Sequence, residues 1–286
     1  MKLILREKEF DFSRTYIMGI INVTPDSFSD GGLFKSPDDA VQKALELVKD
    51  GADIIDIGGE STRPGALPVS EKEELERVIP VIKKFREIDN MTPLSIDTYK
   101  SNIAKQALLN GADIINDISG GTFDDDIMKI ASEYNSAYVI MHIKGKPFDM
   151  QKDPVYSEKG VVSDIIDFFT SQIKKAESTG IKRDKIIIDP GIGFGKTLQN
   201  NIEILKNLSM LESFGCPILI GTSRKSFIGN ILNKPVNERL IGTVASVILS
   251  IINGASIVRV HDVKEIKEAV TFIDFALKNK NIAKVS

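Results

Sequence analysis

Eight times along the chain, a short β-branched or apolar run is followed by a polar or glycine-rich turn and then a stretch with helical spacing. The runs cover residues 16–23, 53–58, 94–98, 114–118, 137–143, 185–189, 218–222 and 256–260. Between them, Val41, Ala44, Leu45 and Val48 recur at i, i+3, i+4 and i+7, as do Leu75, Val78, Ile79 and Ile82, and Ile266, Ala269, Val270 and Ile273. Ser36-Pro37 reads as an N-cap with proline at the first helical position. Ser70 and Glu73 make a capping-box pattern, and Pro80 inside a helical pattern predicts a kink. Strands alternating with helices this regularly require crossover connections and a parallel sheet. With 286 residues, the pattern points to an α/β (β/α)8 TIM barrel, a fold of roughly 250 residues. A doubly wound open sheet shares the local pattern and is the alternative. Residues 1–14 are left over, and their two short apolar runs predict a β-hairpin covering the barrel floor. Residues 15–286 form one barrel domain.

The strand ends carry the chemistry. In a barrel the functional face lies at the C-terminal ends of the strands. There the chain places Asn22, then Glu60-Ser61-Thr62-Arg63, Asp97, Asn116-Asp117, Met141-His142, Asp189, Ser223-Arg224-Lys225, and Arg259 with His261 and Asp262. Polar groups at nearly every strand end are costly to bury unpaired and have no purely structural need. Arg63, Lys225, Arg259 and His261 form a basic side suited to phosphate, because an arginine forks onto oxygens and a lysine acts as a point charge. Asp97, Asn116 and Asp189 form a side able to pair with the edge of a polar heterocycle. Asp56 reads as part of an internal polar network and Asp117 as a cap or supporting partner; the alternative to a site role for Lys225 is a solvated pair with Arg224. His142 is either a hydrogen-bonded core group or a ligand contact.

Composition narrows the classes. The net charge of −3, from 37 basic and 40 acidic residues, argues against nucleic-acid binding through bulk positive charge. A single cysteine, Cys216, excludes an internal disulfide and any cysteine-based zinc site, and points to a reducing, cytoplasmic setting. The first ten residues do not read as a signal peptide. The uncharged stretch between Arg239 and Arg259 is interrupted by Gly242, Thr243, Ser246, Ser250 and Asn253-Gly254, which predicts a buried helix followed by a strand. Pro190-Gly191-Ile192-Gly193-Phe194-Gly195-Lys196-Thr197 is close to a phosphate-binding loop. Proline stands where its first glycine belongs, so a glycine-rich loop beside the pocket is the better reading.

These residues carry a family resemblance. The segment from Met18 to Gly32, with Asn22-Val23-Thr24-Pro25-Asp26-Ser27-Phe28-Ser29-Asp30 at its centre, resembles the first signature of the dihydropteroate synthases. Asp56-Ile57-Gly58-Gly59-Glu60-Ser61-Thr62-Arg63-Pro64-Gly65 resembles the second. Asp97-Thr98, Asn116-Asp117, Met141-His142, Asp189-Pro190-Gly191, Ser223-Arg224-Lys225-Ser226 and Arg259-Val260-His261-Asp262 continue the match in register with the strand ends.

The resemblance implies a transferase that joins p-aminobenzoate to (7,8-dihydropterin-6-yl)methyl diphosphate, giving dihydropteroate and diphosphate. It implies pterin binding by Asp97, Asn116, Met141, Asp189, Gly221 and Lys225. Diphosphate would be held by Asn22, Thr62, Arg63, Arg259 and His261, with Mg²⁺ on Asn22. The aminobenzoate pocket would comprise Phe28, Thr62, Pro64, Phe194, Ser223, Lys225 and Ser226, a site that sulfonamides share. The catalytic set would be Asp97, Asp189, Lys225, Arg63 and Arg259. It further implies a homodimer through the late helices, without nucleic-acid or membrane partners. The glycine- and proline-rich loops at 23–35 and 60–70 are expected to close over the diphosphate. Two alternatives share the pterin-facing residues: a methyl-carrier module and a non-catalytic paralogue. The first lacks the Ser-Thr-Arg-Pro-Gly and Ser-Arg-Lys runs present here.

Overall fold

The computed structural model describes residues 1–24 and 36–278. An antiparallel hairpin, β1 (Leu3–Leu5) and β2 (Lys8–Phe10), precedes eight parallel strands. These are β3 (Tyr16–Asn22), β4 (Ile54–Gly58), β5 (Leu94–Asp97), β6 (Ile114–Asp117), β7 (Ala137–Met141), β8 (Ile186–Asp189), β9 (Leu219–Ile220) and β10 (Ile257–Val260). Their spatial order is β8-β7-β6-β5-β4-β3-β10-β9. The two outer strands meet at a parallel bridge, Ile188 with Ile218, where the Ile188 N–H donates to the Pro217 carbonyl at 3.0 Å. The sheet therefore returns on itself as a (β/α)8 barrel, and the open-sheet alternative falls.

The helices are α1 (Pro37–Lys49), α2 (Glu71–Ile88), α3 (Ser101–Leu109), α4 (Ile127–Glu133), α5 (Val161–Ser178), α6 (Leu198–Lys206), α7 (Ser226–Leu232), α8 (Leu240–Ile252) and α9 (Val263–Lys278). Ser36 caps α1 by accepting from the Asp39 N–H, with Pro37 at the first position. Ser70 caps α2 by accepting from the Glu73 N–H, while the Glu73 carboxylate pairs with Arg77. The α2 helix runs unbroken through Pro80. The uncharged stretch after Arg239 resolves into the 13-residue α8 and then β10. Among the described residues no helix is long and apolar enough to cross a membrane.

Period-two alternation assigns the two faces of the barrel wall. Met18, Ile54, Ile114, Val139, Ile187, Leu219 and Ile257 share one buried cluster with Leu3, Leu5 and Phe10 of the hairpin. Their neighbours Ile17, Ile55, Ile115, Tyr138, Ile188 and Val258 join the helices in the outer core. The hairpin thus packs on the lower interior layer. It is tied down by Arg6, whose guanidinium donates to Asp113 Oδ2 at 3.1 Å and to the Gly111 carbonyl at 2.9 Å. Two residues further along the same inward face stand Asp56, Asn116, Met141, Asp189, Gly221 and Arg259. The interior therefore changes from apolar to polar within one layer.

Asp117 faces outward beside Asn116. Its Oδ1 accepts from the Ser119 N–H and hydroxyl at 2.8 and 2.7 Å. Its Oδ2 accepts from the Gly121 N–H at 2.7 Å and the Tyr138 hydroxyl at 2.5 Å. It is a brace for the turn after β6. Tyr138→Phe removes a donor from this fully buried carboxylate. The expected result is a loss of about 1.5–3 kcal/mol, within the range for hydrogen bonds to charged groups, read as a lowered urea midpoint with an unchanged m-value.

Candidate active site

Strand register alone lines up the first four positions of the site. Asn22 pairs with Gly58, Gly58 with Asp97, and Asp97 with Asn116, so one row crosses β3 to β6 at the same height. A Cβ at Gly58 would stand in van der Waals contact with the Asp97 Cβ, at 3.4 Å. Across the barrel Met141 pairs with Asp189. Asp97, Asn116, Met141 and Asp189 are all buried.

Arg259 rises from β10 into this ring. Its Nε donates to Asp56 Oδ2 at 2.6 Å and its Nη2 to Asp97 Oδ2 at 2.7 Å. Asn116 Nδ2 donates to the same Asp56 oxygen at 3.1 Å. The expected internal network around Asp56 is therefore present and is anchored by a site arginine. Burial pushes the Asp97 carboxyl up to about 7, opposed by the charge of Arg259. Asp97 Oδ1, Asp56 Oδ1 and Ser95 Oγ are buried without a hydrogen-bond partner among the described residues. Such atoms suit a ligand that brings ring N–H or amino donors.

Asp189 Oδ1 accepts from the Gly191 N–H at 2.7 Å, which turns the glycine-rich loop across the end of β8. Gly191 is obligatory there: its φ is +70° and a Cβ would sit 1.9 Å from the His142 carbonyl oxygen. Burial raises the Asp189 carboxyl, while Lys225 pulls it back. Lys225 crosses to this side, with its Nζ 4.5 Å from the centre of the Phe194 ring and donating to the Ile192 carbonyl. Burial brings its ammonium down to about 8, against the attraction of Asp189. Gly221 is buried between them, with Arg259 Cβ and Lys225 Nζ the nearest atoms to any added Cβ, at 3.8 and 4.0 Å.

The loop after β9 separates the Arg224–Lys225 pair. Arg224 adopts φ +59°, its N–H donates to Thr243 Oγ1 at 3.0 Å, and its guanidinium pairs with Asp262. The turn leaves Lys225 alone facing the site. Ser223 is buried, and its Oγ lies 2.9 Å from His261 Nδ1. Burial and then the charges of Arg259 and Arg224 pull the His261 ring down to about 3, so it is neutral. Arg63 contributes to the same field.

Thr62 is half-buried; Arg63 and Pro64 are exposed, as is Ser226. Their segment is latched at its base. Glu60 Oε2 accepts from the Val69 N–H at 3.0 Å and from Lys100 Nζ at 2.7 Å. Lys100 also donates to the Val69 carbonyl and to Glu74 at 2.7 and 2.6 Å. The Gly65 N–H reaches the Pro147 carbonyl at 3.0 Å, joining the loops after β4 and β7. Nothing in the sequence pointed to this latch, because its members come from three separate segments. Phe28, Pro25 to Lys35 and most of the first expected closing loop lie outside the described residues.

The phosphate-loop look-alike is occupied by other duties. Lys196 is buried and donates to His142 Nδ1 at 3.0 Å and to the carbonyls of His142 and Phe194 at 3.2 and 3.0 Å. Burial lowers its pKa well below the usual ammonium value. His142, brought down to about 2 chiefly by burial, is accordingly a hydrogen-bonded core group.

One end of the barrel thus joins a wall of buried carboxylates and an amide to a wall of cationic and imidazole groups. Residues 18–261 match the family described as pterin binding enzyme. The chain is 48% identical to a dihydropteroate synthase of Clostridium beijerinckii over 95% of this chain and 98% of that one. Its fold superimposes on Yersinia pestis dihydropteroate synthase in a sulfonamide drug complex, with a TM-score of 0.92, 42% identity and coverage of 97% and 100% of the two chains. For Clostridium difficile dihydropteroate synthase in the presence of pteroic acid the TM-score is 0.87, with 48% identity and coverage of 93% and 98%. The chain belongs to the pterin-binding enzymes, and within them to the dihydropteroate synthase family.

Arg259 is the shared counter-charge of two buried carboxylates. Arg259→Leu leaves both uncompensated, a change expected to cost about 3–5 kcal/mol. The sign with pH is fixed. Asp97 already titrates above its unfolded value of 3.8, and removing the cation raises it further. The native state then binds more protons than the unfolded chain, so stability falls as pH rises between those values. Urea unfolding is expected to show a larger deficit at pH 8 than at pH 5; an equal deficit would count against the assigned network.

Proposed function

We propose that this chain is a dihydropteroate synthase, a pterinylmethyl transferase that condenses (7,8-dihydropterin-6-yl)methyl diphosphate with p-aminobenzoate in folate biosynthesis. The observation that carries the reading is the single row from Asn22 to Asn116, facing Asp189 and Lys225 and closed by Arg259. The pterin ring lies against Asp97, Asn116, Asp189, Met141 and Lys225. Its N–H and amino donors meet the carboxylate and amide oxygens of these side chains. Lys225 donates to a ring acceptor and stacks its ammonium over Phe194.

Diphosphate faces Arg63, Thr62, Arg259 and His261. The methylene C–O bond breaks, and the diphosphate departs with the bonding pair. The carboxylates of Asp97 and Asp189 stabilise the cationic dihydropterin that remains, and the basic groups stabilise the leaving charge. Fixed charges of this kind act where charge develops. The aniline nitrogen of p-aminobenzoate, placed by Thr62, Pro64, Phe28, Phe194, Ser226 and the loop containing Ser223, forms the C–N bond and loses its proton. No covalent adduct with the protein forms: Cys216 is buried at the opposite end of its strand.

Among the described residues no group of three His, Cys, Asp or Glu side chains could hold a metal by itself. The donor set fits Mg²⁺ carried mainly by phosphate oxygens, with the hard amide oxygen of Asn22 as its protein ligand. When bound, Mg²⁺ would supply positive charge beside the departing phosphate. The late helices support a homodimer: Ile241 on α8 and Phe272 on α9 are 77% and 73% exposed, on two helices that pack together. Sulfonamides compete for the aminobenzoate site.

The primary test is diphosphate release from the pterin diphosphate with Mg²⁺, with and without p-aminobenzoate. Release that depends on the amine and yields dihydropteroate is expected; tight pterin binding without turnover would move the assignment to a methyl-carrier or non-catalytic role. Lys225→Ala and Asp189→Ala are each expected to abolish synthesis in a protein that remains folded by circular dichroism. In the wild type, kcat/KM for the pterin diphosphate, which reports the free enzyme, is expected to fall as pH rises through about 8, where Lys225 loses its charge. Lys225→Arg shifts that fall to higher pH.

A further inference from the structure

Ser223 belongs by sequence to the aminobenzoate pocket, yet its Oγ is engaged elsewhere. It accepts from the backbone N–H of His261 at 3.2 Å and lies 2.9 Å from that residue's Nδ1. Both partners belong to one residue at the end of β10. Ser223 is only 6% exposed, so a hydroxyl proton without an acceptor is costly there. Among the described residues, the acceptor within reach of that proton is Nδ1. The ring is neutral, because burial and the surrounding Arg259, Arg224 and Arg63 outweigh Asp262, whose carboxylate is already held by Arg224. A neutral imidazole has one bare nitrogen and one N–H. If the hydroxyl donates to Nδ1, the proton sits on Nε2.

We propose that Ser223 is a positioning residue whose hydroxyl holds His261 as the Nε2–H tautomer, presenting that N–H as a donor to a phosphate oxygen of the pterin diphosphate. The proposal rests on the synthase reading for the identity of the anion. The opposite tautomer would present a lone pair of Nε2 to phosphate lone pairs, and binding would suffer. The backbone keeps the pair in place: Arg224, in a left-handed turn, donates its N–H to Thr243, and the Lys225 N–H donates to the Thr222 carbonyl at 3.2 Å. The serine thus serves the diphosphate through His261, while Lys225, two residues on, serves the pterin.

The test combines a spectroscopic and a kinetic reading on the full chain. With ¹⁵N-labelled histidine only two rings report, His142 and His261, and His142→Gln assigns them. The wild type is expected to show a bare Nδ1 and a protonated Nε2 for His261. In Ser223→Ala the two shifts are expected to move toward an average of tautomers, and in Ser223→Thr, which keeps the hydroxyl, to remain. Ser223→Ala is expected to raise KM for the pterin diphosphate roughly tenfold, the effect of one hydrogen bond, and by more than it raises KM for p-aminobenzoate. A protonated Nδ1 in the wild type, ring shifts indifferent to Ser223→Ala, or a rise confined to KM for p-aminobenzoate would each overturn the proposal. Because the ring shifts are read without turnover, failure of the synthase assay would sink the functional reading separately. If Ser223→Ala does not fold, Ser223→Thr and Ser223→Cys carry the comparison, the weak thiol donor expected to loosen the tautomer.

Discussion

A guanidinium carried by the last barrel strand holds the upper interior together. Arg259 binds Asp56 from β4 and Asp97 from β5, and through Asp56 reaches Asn116 on β6. A buried arginine with two carboxylates is a poor source of net stability, because desolvation consumes most of the attraction. What it provides is position. Three strands that are distant from β10 along the chain are drawn to fixed heights, and the second oxygen of Asp97 stays buried without a partner among the described residues. Removing either sign would leave the other uncompensated, so the apolar lower layer and the charged upper layer depend on this contact for their boundary.

That boundary explains why the same barrel can be both stable and reactive. Below it the interior is closed by Met18, Ile54, Val139, Ile187 and the hairpin residues Leu3, Leu5 and Phe10. Above it each side chain is prepared for a ligand. Asp97 is raised toward neutrality by burial and Lys225 is lowered toward it, so both respond to charge introduced by a substrate. The loops then sort duties between neighbours in sequence. Arg224 is taken by Asp262, Lys225 faces Phe194 and Asp189, and Ser223 addresses His261. Three consecutive residues thereby serve three different partners, because a left-handed turn at Arg224 points them apart.

Much of this was legible before any fold was known, for reasons that differ by element. The eight strands follow from short β-branched or apolar runs, and the helices from apolar spacing of three and four; both are local signals. Asp97, Asn116, Asp189 and Arg259 were legible as site residues because each is a charged or amide group closing an otherwise apolar strand. Asp56 could be read as interior, though not as a partner of a residue 203 positions away. The glycine-rich loop was legible as a turn, but the burial of Lys196 against His142 was not. The Lys100–Glu60–Glu74 latch had no local signature.

The sequence by itself determined the alternation of strands and helices, the apolar stripe of each amphipathic helix, and the residue types at the strand ends. Those properties depend on neighbours within a few residues, where backbone geometry and burial preference act directly. Only the tertiary structure decided that the sheet closes between Ile188 and Ile218, that Asn22, Gly58, Asp97 and Asn116 share a row, and that Ser223 answers to His261. Register and closure are set by contacts between segments tens to hundreds of residues apart. A one-residue slip in any strand would keep its local pattern while turning its inward face outward. The chemistry is therefore written in the sequence as a list of groups, and becomes a site when parallel pairing sets them at one height.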